Sequence, residues 1–369
     1  MALGDQHSVI LRQDGSVWST PITLSGGIIP SRDIRKNFIQ KIVNGAIAVA
    51  AGTGYTLALK QEGRVWAMGR NFRGQLGDGT RERKTEFKSV QQIRGAKALS
   101  AGGYHSMVLT HEGRVFATGW NKYGQLGDGT TSYRIRFVVT ITVSVKGIAA
   151  GDIHSVVVKV DGSVWATGRN ADGQLGDGTR IDKSDYVQVM SSGAVHVAAG
   201  RCHSMVVDQD GSVWSTGCNG YGQLGYGSTT DQVSYVRVIL FGAKAVSAGS
   251  RHSIVLKKDG SVWSSGHNEY GQLGDGWKGD NNVFVQVLVD GVTAVAAGWF
   301  HSMVLKEDGS IWATGSNKYG QFGDGSTTSE NRFIRLEPFN AGGCAAIYLR
   351  ILPPSLILDM PICSNFCVL

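Results

Sequence analysis

The chain has 369 residues, a net charge of +7, and 52 glycines but only 6 prolines. Glycine at about twice its usual share, placed at regular positions, indicates many tight turns and argues against a disordered or low-complexity chain. The five cysteines are odd in number and do not recur with any fixed spacing, so free thiols are predicted at Cys202, Cys218, Cys344, Cys363 and Cys367.

A motif that begins with His-Ser recurs along the chain, with Tyr55-Thr56 in one variant copy. Its histidines are His7, His105, His154, His203, His252 and His301. A large aromatic residue follows eleven positions later in every copy, and successive aromatics lie 48, 50, 49, 49, 49 and 49 residues apart. A fixed period of this length predicts seven repeated units that bury their surfaces against each other in one body.

The sixth unit shows the predicted elements in chain order. Ala243–Ala248 is predicted as a short strand and His252–Lys257 as the second. Asp259-Gly260 lies between two hydrophobic runs, which is a strong hairpin signal, so Ser261–Ser265 is predicted as the third strand. Phe284–Leu288 is the fourth, after a long glycine-rich connection. Each unit therefore offers four short antiparallel strands.

The second strand of each unit is apolar without polar alternation, as around Met107 and Val157, which predicts burial on both faces. Seven such sheets favour an all-β fold, a seven-bladed β-propeller, over a linear solenoid. We expect residues 1–340 to form this propeller and 341–369 to be an atypical C-terminal segment. Pairing of the N- and C-terminal segments is expected to close the ring, with Ala345–Leu349 as the first strand of the closing blade.

No targeting or membrane segment is predicted. Pro353, Pro354, Asp359 and Pro361 interrupt the hydrophobic C-terminal segment, so it offers no run of the ~20 apolar residues that a spanning helix needs. The N-terminal residues do not follow the pattern of a secretory signal. We therefore expect an intracellular monomer, cytoplasmic or nuclear, without membrane contact.

The repeated pattern AAGxxHSxVLxxDGSVWATGxNxYGQLGDG resembles the regulator of chromosome condensation repeat over residues 1 to about 340. The resemblance implies a seven-bladed propeller. Proteins similar in this way include exchange factors for Ran-type GTPases that also bind nucleosomes, an ultraviolet-B photoreceptor, parts of ubiquitin ligases, and bacterial inhibitors. Because one fold serves all of these roles, the resemblance alone does not select a function.

The repeated polar residues are interpreted as structural, since a group needed once for chemistry has no reason to recur in every unit. The histidines are expected to be packed hydrogen-bonding residues at strand starts, and the tryptophans to be part of the blade cores. Asp recurs at one loop position, but Tyr226 replaces it in the fifth unit, so calcium binding is not expected. No catalytic or phosphate-binding motif is present, and no cofactor, metal or enzymatic activity is predicted.

Function is therefore expected in residues that vary between units. Alternation of strand direction places the turn before each histidine and each long glycine-rich loop at the same end of the ring. Variable loops on a rigid scaffold are common binding sites. At this end we single out Tyr104, Arg201, Arg251, Trp277, Trp299 and Phe300 as a candidate binding surface.

A second candidate surface is basic. Residues 1–150 hold 20 Lys and Arg against 9 Asp and Glu, whereas residues 151–369 hold 16 against 20. The excess of Lys and Arg would form a basic arc on one side of the ring, which would attract an acidic protein surface or nucleic-acid phosphates. It is equally consistent with a solvated basic rim that has no partner. The candidate residues are Arg35, Lys36, Arg81, Arg83, Lys84, Lys88, Arg134 and Arg136.

Three functions are considered. The first is a non-enzymatic protein-interaction scaffold that binds an acidic partner through the loop end of the ring. The alternative is guanine nucleotide exchange on a Ran-type small GTPase. The resemblance implies that such exchange uses an extra wedge protruding from a blade, and the even spacing of the units leaves little room for such an insertion. Nucleic acid or chromatin is a weaker partner hypothesis. Ultraviolet photoreception would need several Gly-Trp-Arg-His turns, and only Gly298-Trp299-Phe300-His301 comes near.

Overall fold

The computed structural model describes residues 1–21, 37–239 and 241–336. These residues form seven four-stranded sheets, and every sheet consists of four consecutive antiparallel strands. The predicted all-β, seven-bladed propeller is thus confirmed. In the part of the chain that the structure describes, no helix is long and apolar enough to cross a membrane.

The strands occupy equivalent positions from blade to blade. The innermost strands are β1 (Ala2–Leu3), β5 (Ala46–Ala51), β9 (Ala96–Ala101), β13 (Val145–Ala150), β17 (Ala194–Ala199), β21 (Ala243–Ala248) and β25 (Val292–Ala297). The second strands are β2 (Ser8–Leu11), β6 (Tyr55–Lys60), β10 (His105–Thr110), β14 (His154–Lys159), β18 (His203–Asp208), β22 (His252–Lys257) and β26 (His301–Lys306).

The outer half of each blade follows the same order. The third strands are β3 (Val17–Ser19), β7 (Val65–Gly69), β11 (Val115–Gly119), β15 (Val164–Gly168), β19 (Val213–Gly217), β23 (Val262–Gly266) and β27 (Ile311–Gly315). The outermost strands are β4 (Ile39–Ile42), β8 (Lys84–Val90), β12 (Arg134–Ile141), β16 (Lys183–Met190), β20 (Gln232–Ile239), β24 (Asn281–Leu288) and β28 (Glu330–Leu336). Neighbouring innermost strands contact each other around the axis, including β1 with β25.

The hydrophobic core lies between blades. Val9 and Leu11 of the first blade, for example, pack with Ala58 and Met68 of the second. The repeated glycines allow this close approach: Gly176 has a φ of 78°, and a Cβ there would lie 2.5 Å from the ring of Tyr235 in the next blade. Only glycine adopts that conformation without strain, and only its missing side chain leaves room for the aromatic ring.

The repeated histidines connect neighbouring blades, as predicted for packed hydrogen-bonding residues. His105 Nε2 lies 2.9 Å from Ser155 Oγ in the next blade, and that hydroxyl donates its proton to the carbonyl of Gln125 at 2.7 Å. Since the hydroxyl proton is used, Nε2 must be the donor, which assigns the neutral Nε2–H tautomer. Burial lowers the pKa of His105 to about 3, in agreement with a neutral ring.

Equivalent contacts run around the whole ring and are called the histidine belt below. Its other histidine contacts are His7–Thr56, His154–Ser204, His203–Ser253, His252–Ser302 and His301–Ser8. From the variant second blade, the Tyr55 hydroxyl lies 3.2 Å from Ser106 Oγ of the third blade and donates to the backbone carbonyl of His105. The belt is therefore closed across the junction between the seventh and first blades.

Residues near the N-terminus contribute to that junction. Met1, Ile10 and Phe38 of the first blade share a core cluster with Met303 and Phe322 of the seventh. Ala2 and Leu3 pair with Val9 and Ser8 as the innermost strand of the first blade. The predicted strand at Ala345–Leu349 and the atypical segment 341–369 lie outside the described residues, so closure by pairing of the two terminal segments stays a prediction.

Candidate interaction surface

The two ends of the ring differ in what they expose. One end, the loop face, carries the turns between first and second strands and the connections between third and fourth strands. The other end, the hairpin face, carries the tight hairpins and the connections between blades. The connection from third to fourth strand has the same length in blades 2 to 7, running between Gly69 and Lys84 in blade 2 and between Gly315 and Glu330 in blade 7.

The repeated polar residues of these connections form hydrogen bonds to other groups of the same connection. In blade 3, Asn121 Nδ2 donates to Asp128 Oδ1 at 2.9 Å, while Asn121 Oδ1 accepts from the backbone N–H of Leu126 at 2.9 Å. The same network recurs at Asn71, Asn170 and Asn268. Their structural interpretation is confirmed. No group of three or more His, Cys, Asp or Glu side chains suited to a metal ion occurs among the residues for which coordinates are described.

Several of the predicted basic residues are used inside the scaffold. The guanidinium of Arg134 lies 2.7 Å from Asp128 Oδ2. Burial opposes ionisation of Asp128, but hydrogen bonds from Thr130, Arg134 and Asn121 outweigh it and lower the pKa of Asp128. Lys84 Nζ lies 3.6 Å from Asp78 and 3.2 Å from Glu82. These pairs stabilise the loops and leave less charge available to a partner.

The other predicted basic residues have different surroundings. Arg81 and Arg83 are exposed on the loop face in blade 2. Arg136, in the outermost strand of blade 3, lies with its guanidinium against Gly79 of blade 2. Lys88, in the outermost strand of blade 2, lies 3.9 Å from Glu86. Arg35 and Lys36 are outside the described residues, so their predicted role is left as a prediction.

Sequence reasoning missed Arg73, which lies beside Arg81 in the same connection. Its guanidinium carbon is 5.6 Å from the ring of Trp120 and 5.5 Å from that of Tyr133, both in blade 3. Tyr104, one of the predicted residues, packs edge-to-face on Trp120 with ring centroids 5.6 Å apart. An alignment of the units would have shown the signal, because Arg73 occupies a position where four other units have tyrosine.

The other predicted aromatic residues lie on blades 6 and 7. Phe300 packs against Tyr270 at 5.2 Å and against Trp299 at 6.2 Å between ring centroids. Arg251 donates to the Tyr221 hydroxyl at 2.7 Å and lies over its ring. Tyr221, His267 and Tyr270 join Phe300 in one aromatic cluster. Trp277 is different, since it is 75% exposed and accessible to a partner.

Polar residues surround the mouth of the central channel on the loop face, where a cavity of about 70 Å³ opens between the innermost strands. Asp152 Oδ2 lies 3.9 Å from Arg201 Nε. Burial raises the pKa of Asp152 to about 7 despite that arginine. The hydroxyls of Thr53 and Ser250 line the same cavity and have no protein partner. A cavity of this size and polarity suits ordered water.

The cysteine prediction was wrong for two residues, because Cys202 and Cys218 form a disulfide with Cα atoms 5.5 Å apart. His203 pairs with Gly217 in the antiparallel register. Cys202 precedes His203 and Cys218 follows Gly217, so the two cysteines face each other across the hairpin. The backbone N–H of Cys218 also donates to the carbonyl of Cys202 at 2.8 Å. A separation of 16 positions across one hairpin was the missed signal.

The charge difference along the sequence is present on the loop face. Residues 70–84 and 120–134 of blades 2 and 3, here called the basic sector, contain seven Lys and Arg against three Asp and Glu. Residues 218–232, 267–281 and 316–330 of blades 5 to 7, the acidic sector, contain two against six. The loop face is therefore polarised across the ring, which gives an approaching partner a preferred orientation.

Comparison with solved structures agrees with the fold. Yeast RCC1 (Prp20) bound to Kap60 has a TM-score of 0.74 at 22% identity, with 83% of this chain and 79% of that chain covered. Saccharomyces cerevisiae Prp20p, from work on its binding to Gsp1p and histones, has a TM-score of 0.75 at 21% identity, with 86% and 83% covered. Human WBSCR16 has a TM-score of 0.75 at 24% identity, with 86% and 88% covered.

These identities establish similarity of fold. No curated protein sequence matches the chain significantly. The family model of the RCC1-like domain matches residues 1–243 and 138–347, which together span most of the sequence. Seven equivalent blades, the histidine belt and this match lead to one conclusion: the chain belongs to the RCC1-like domain family.

Proposed function

We propose that the protein is a non-enzymatic interaction scaffold that binds an acidic protein partner through the basic sector of its loop face. The observation that carries this proposal is the polarity of that face, with seven basic and three acidic residues on blades 2 and 3. Electrostatic complementarity of this kind accelerates encounter and selects the orientation of a partner.

The absence of a catalytic role is part of the proposal. The repeated imidazole and hydroxyl groups are buried in the histidine belt, where each imidazole Nε2 contacts a hydroxyl of the next blade. The repeated carboxylates are engaged with asparagine and threonine in their own loops. Residues that recur therefore support the scaffold, and the residues that vary are available for recognition.

The test compares two double variants with the same change of net charge. Arg81→Glu/Arg83→Glu alters exposed residues of the basic sector without breaking the Asp128–Arg134 pair. Arg64→Glu/Arg114→Glu alters exposed hairpin residues of the same two blades at the opposite end. We expect proteins captured from cell extract at about 0.05 M salt to be lost with the first variant and retained with the second. Equal capture by both variants would refute the proposal.

A second candidate is nucleotide exchange on a Ran-type small GTPase. It is favoured by membership of the RCC1-like family and by a similar protein, Prp20p, for which binding to Gsp1p and to histones is reported. Against it, the connections of blades 2 to 7 have equal lengths, which leaves no inserted wedge in any of them. The assay is release of a fluorescent GDP analogue from a purified Ran-type GTPase. No acceleration at micromolar protein would eliminate this candidate.

A further inference from the structure

Two arginines of the basic sector stack on aromatic rings of the next blade. The guanidinium carbon of Arg73 lies over the rings of Trp120 and Tyr133, and that of Arg81 is 5.9 Å from the Tyr133 ring. Trp120 Nε1 donates to the Tyr133 hydroxyl at 3.0 Å, which holds the two rings together. Arginine–aromatic contacts of this geometry restrict the orientation of the guanidinium. The four residues are called the arginine stack below.

The arginine stack exists because two neighbouring blades depart from the repeat at facing positions. In blades 4 to 6, Asp182, Asp231 and Asp280 accept a hydrogen bond from the backbone N–H of the loop asparagine. Blade 3 has Tyr133 at this position. Arg73 in blade 2 stands where Tyr123, Tyr221, Tyr270 and Tyr319 stand in other blades. Each change removes a repeated residue, and together they create the contact.

Stacking leaves the donors of both guanidiniums unused. A guanidinium that lies over a ring still directs its N–H groups outward in its own plane, where a fork of donors can meet two oxygens. In the described part of the chain, no Asp or Glu lies within ion-pair distance of Arg73 or Arg81. Arg83 lies two positions from Arg81 and is also exposed. The site therefore presents oriented positive charge without an internal counterion.

We propose that the arginine stack recognises a phosphate monoester, a phosphoserine or phosphothreonine within an acidic segment of the partner; this inference rests on the proposed function. A carboxylate satisfies one guanidinium fork, whereas a phosphoryl group has three acceptor oxygens and nearly two negative charges for two forks. Single-stranded nucleic acid is the competing ligand, because bases stack on free aromatic faces, but at this site guanidinium groups already lie over the rings of Trp120 and Tyr133.

The test uses fluorescence anisotropy with the full chain and degenerate acidic peptides. One library carries a central phosphoserine and a second carries glutamate at that place. We expect the wild-type protein to bind the phosphorylated library about tenfold more tightly than the glutamate library. Arg73→Lys retains the charge but not the fork, so the preference should fall to about twofold or less. The matched control Arg64→Lys, on the hairpin face of the same blade, should keep the full preference.

Two further variants guard against misfolding. Arg73→Tyr and Tyr133→Asp introduce the residues that other blades carry at these positions, so thermal unfolding should stay close to that of the wild type while the phosphate preference is lost. Equal wild-type affinity for both libraries, or an Arg73→Lys variant that keeps the preference, would overturn the arginine stack as a phosphate site. Tighter binding of a single-stranded oligonucleotide than of the phosphorylated library would also overturn it.

The two proposals fail in different ways. If Arg81→Glu/Arg83→Glu abolishes binding of both libraries while neither library is preferred, the loop face is the binding surface and only the phosphate inference is refuted. If the wild-type protein binds neither library, or if the double variant binds both like the wild type, the proposed function is refuted as well.

Discussion

The Nε2 atom of His301 lies 3.0 Å from the hydroxyl oxygen of Ser8, which is 293 positions away in the sequence. This contact joins the seventh blade to the first and completes the histidine belt. A ring whose blades pack only on their neighbours is as stable as its closing junction allows. We therefore expect the junction to respond measurably when this pair is removed.

The first prediction concerns that pair. His301→Ala and Ser8→Ala should each lower the free energy of unfolding by about 2 kcal/mol, because each leaves a buried polar partner unsatisfied. A double-mutant cycle in urea should give a coupling energy of about 1 kcal/mol. Strictly additive losses would show that the contact does not stabilise the junction.

The second prediction concerns acid. Burial lowers the pKa of His7 and His203 to about 4 and that of His105, His154, His252 and His301 to about 3. In the unfolded chain these histidines titrate near 6.5, so below that pH the unfolded state binds more protons than the folded state. Stability is therefore complete above pH ~6.5 and falls as the pH decreases towards 4.

Burial raises the pKa of Asp5, Asp152 and Asp208, which acts in the opposite direction, since the folded state then holds protons that the unfolded state releases. Three carboxyl groups cannot offset six histidines, so the net effect remains destabilisation by acid. Urea unfolding midpoints at about pH 7.5, 6 and 5 should decrease in that order. A midpoint that is constant across this range would contradict the neutral histidine belt.

The third prediction concerns the disulfide. Cys202 and Cys218 are separated by 16 positions, and closing a loop of that length stabilises a protein by about 3 kcal/mol in the chain-entropy model. Reduction with dithiothreitol should therefore lower the thermal midpoint of the wild-type protein. The control is Cys202→Ser/Cys218→Ser, whose midpoint should start lower and no longer respond to the reductant. A wild-type protein that is insensitive to reductant would contradict the prediction.

The fourth prediction separates two aromatic residues on the loop face of blades 6 and 7. Trp277 is 75% exposed, so Trp277→Ala should change the free energy of unfolding by no more than about 0.5 kcal/mol. Phe300 packs with Trp299, His267 and Tyr270, so Phe300→Ala should cost about 2 kcal/mol. Equal effects in a urea titration would show that Trp277 is also part of the loop packing and is not free for a partner.

Much of the architecture was predictable from local patterns. The spacing of the aromatic residues indicated seven units, and the Asp-Gly turns and apolar second strands indicated four-stranded blades. Recurrence also identified polar residues that support the scaffold, as His105 and Asp128 show: each makes the hydrogen bond that recurs at its position in other blades. These features depend only on short stretches of chain and on neighbours that are equivalent from blade to blade, so they can be predicted from the sequence.

The candidate surface depended on contacts that no single unit contains. The sequence by itself determined the blade count, the strand order and the excess of basic residues in its first 150 positions, because periodicity, turn chemistry and composition are local or summed properties. Tertiary structure decided which charges are free: Arg134 is held by Asp128, while Arg73 meets Trp120 and Tyr133 of the next blade. It also paired Cys202 with Cys218 across a hairpin. These outcomes follow from side chains that become neighbours only when blades assemble and strands come into register.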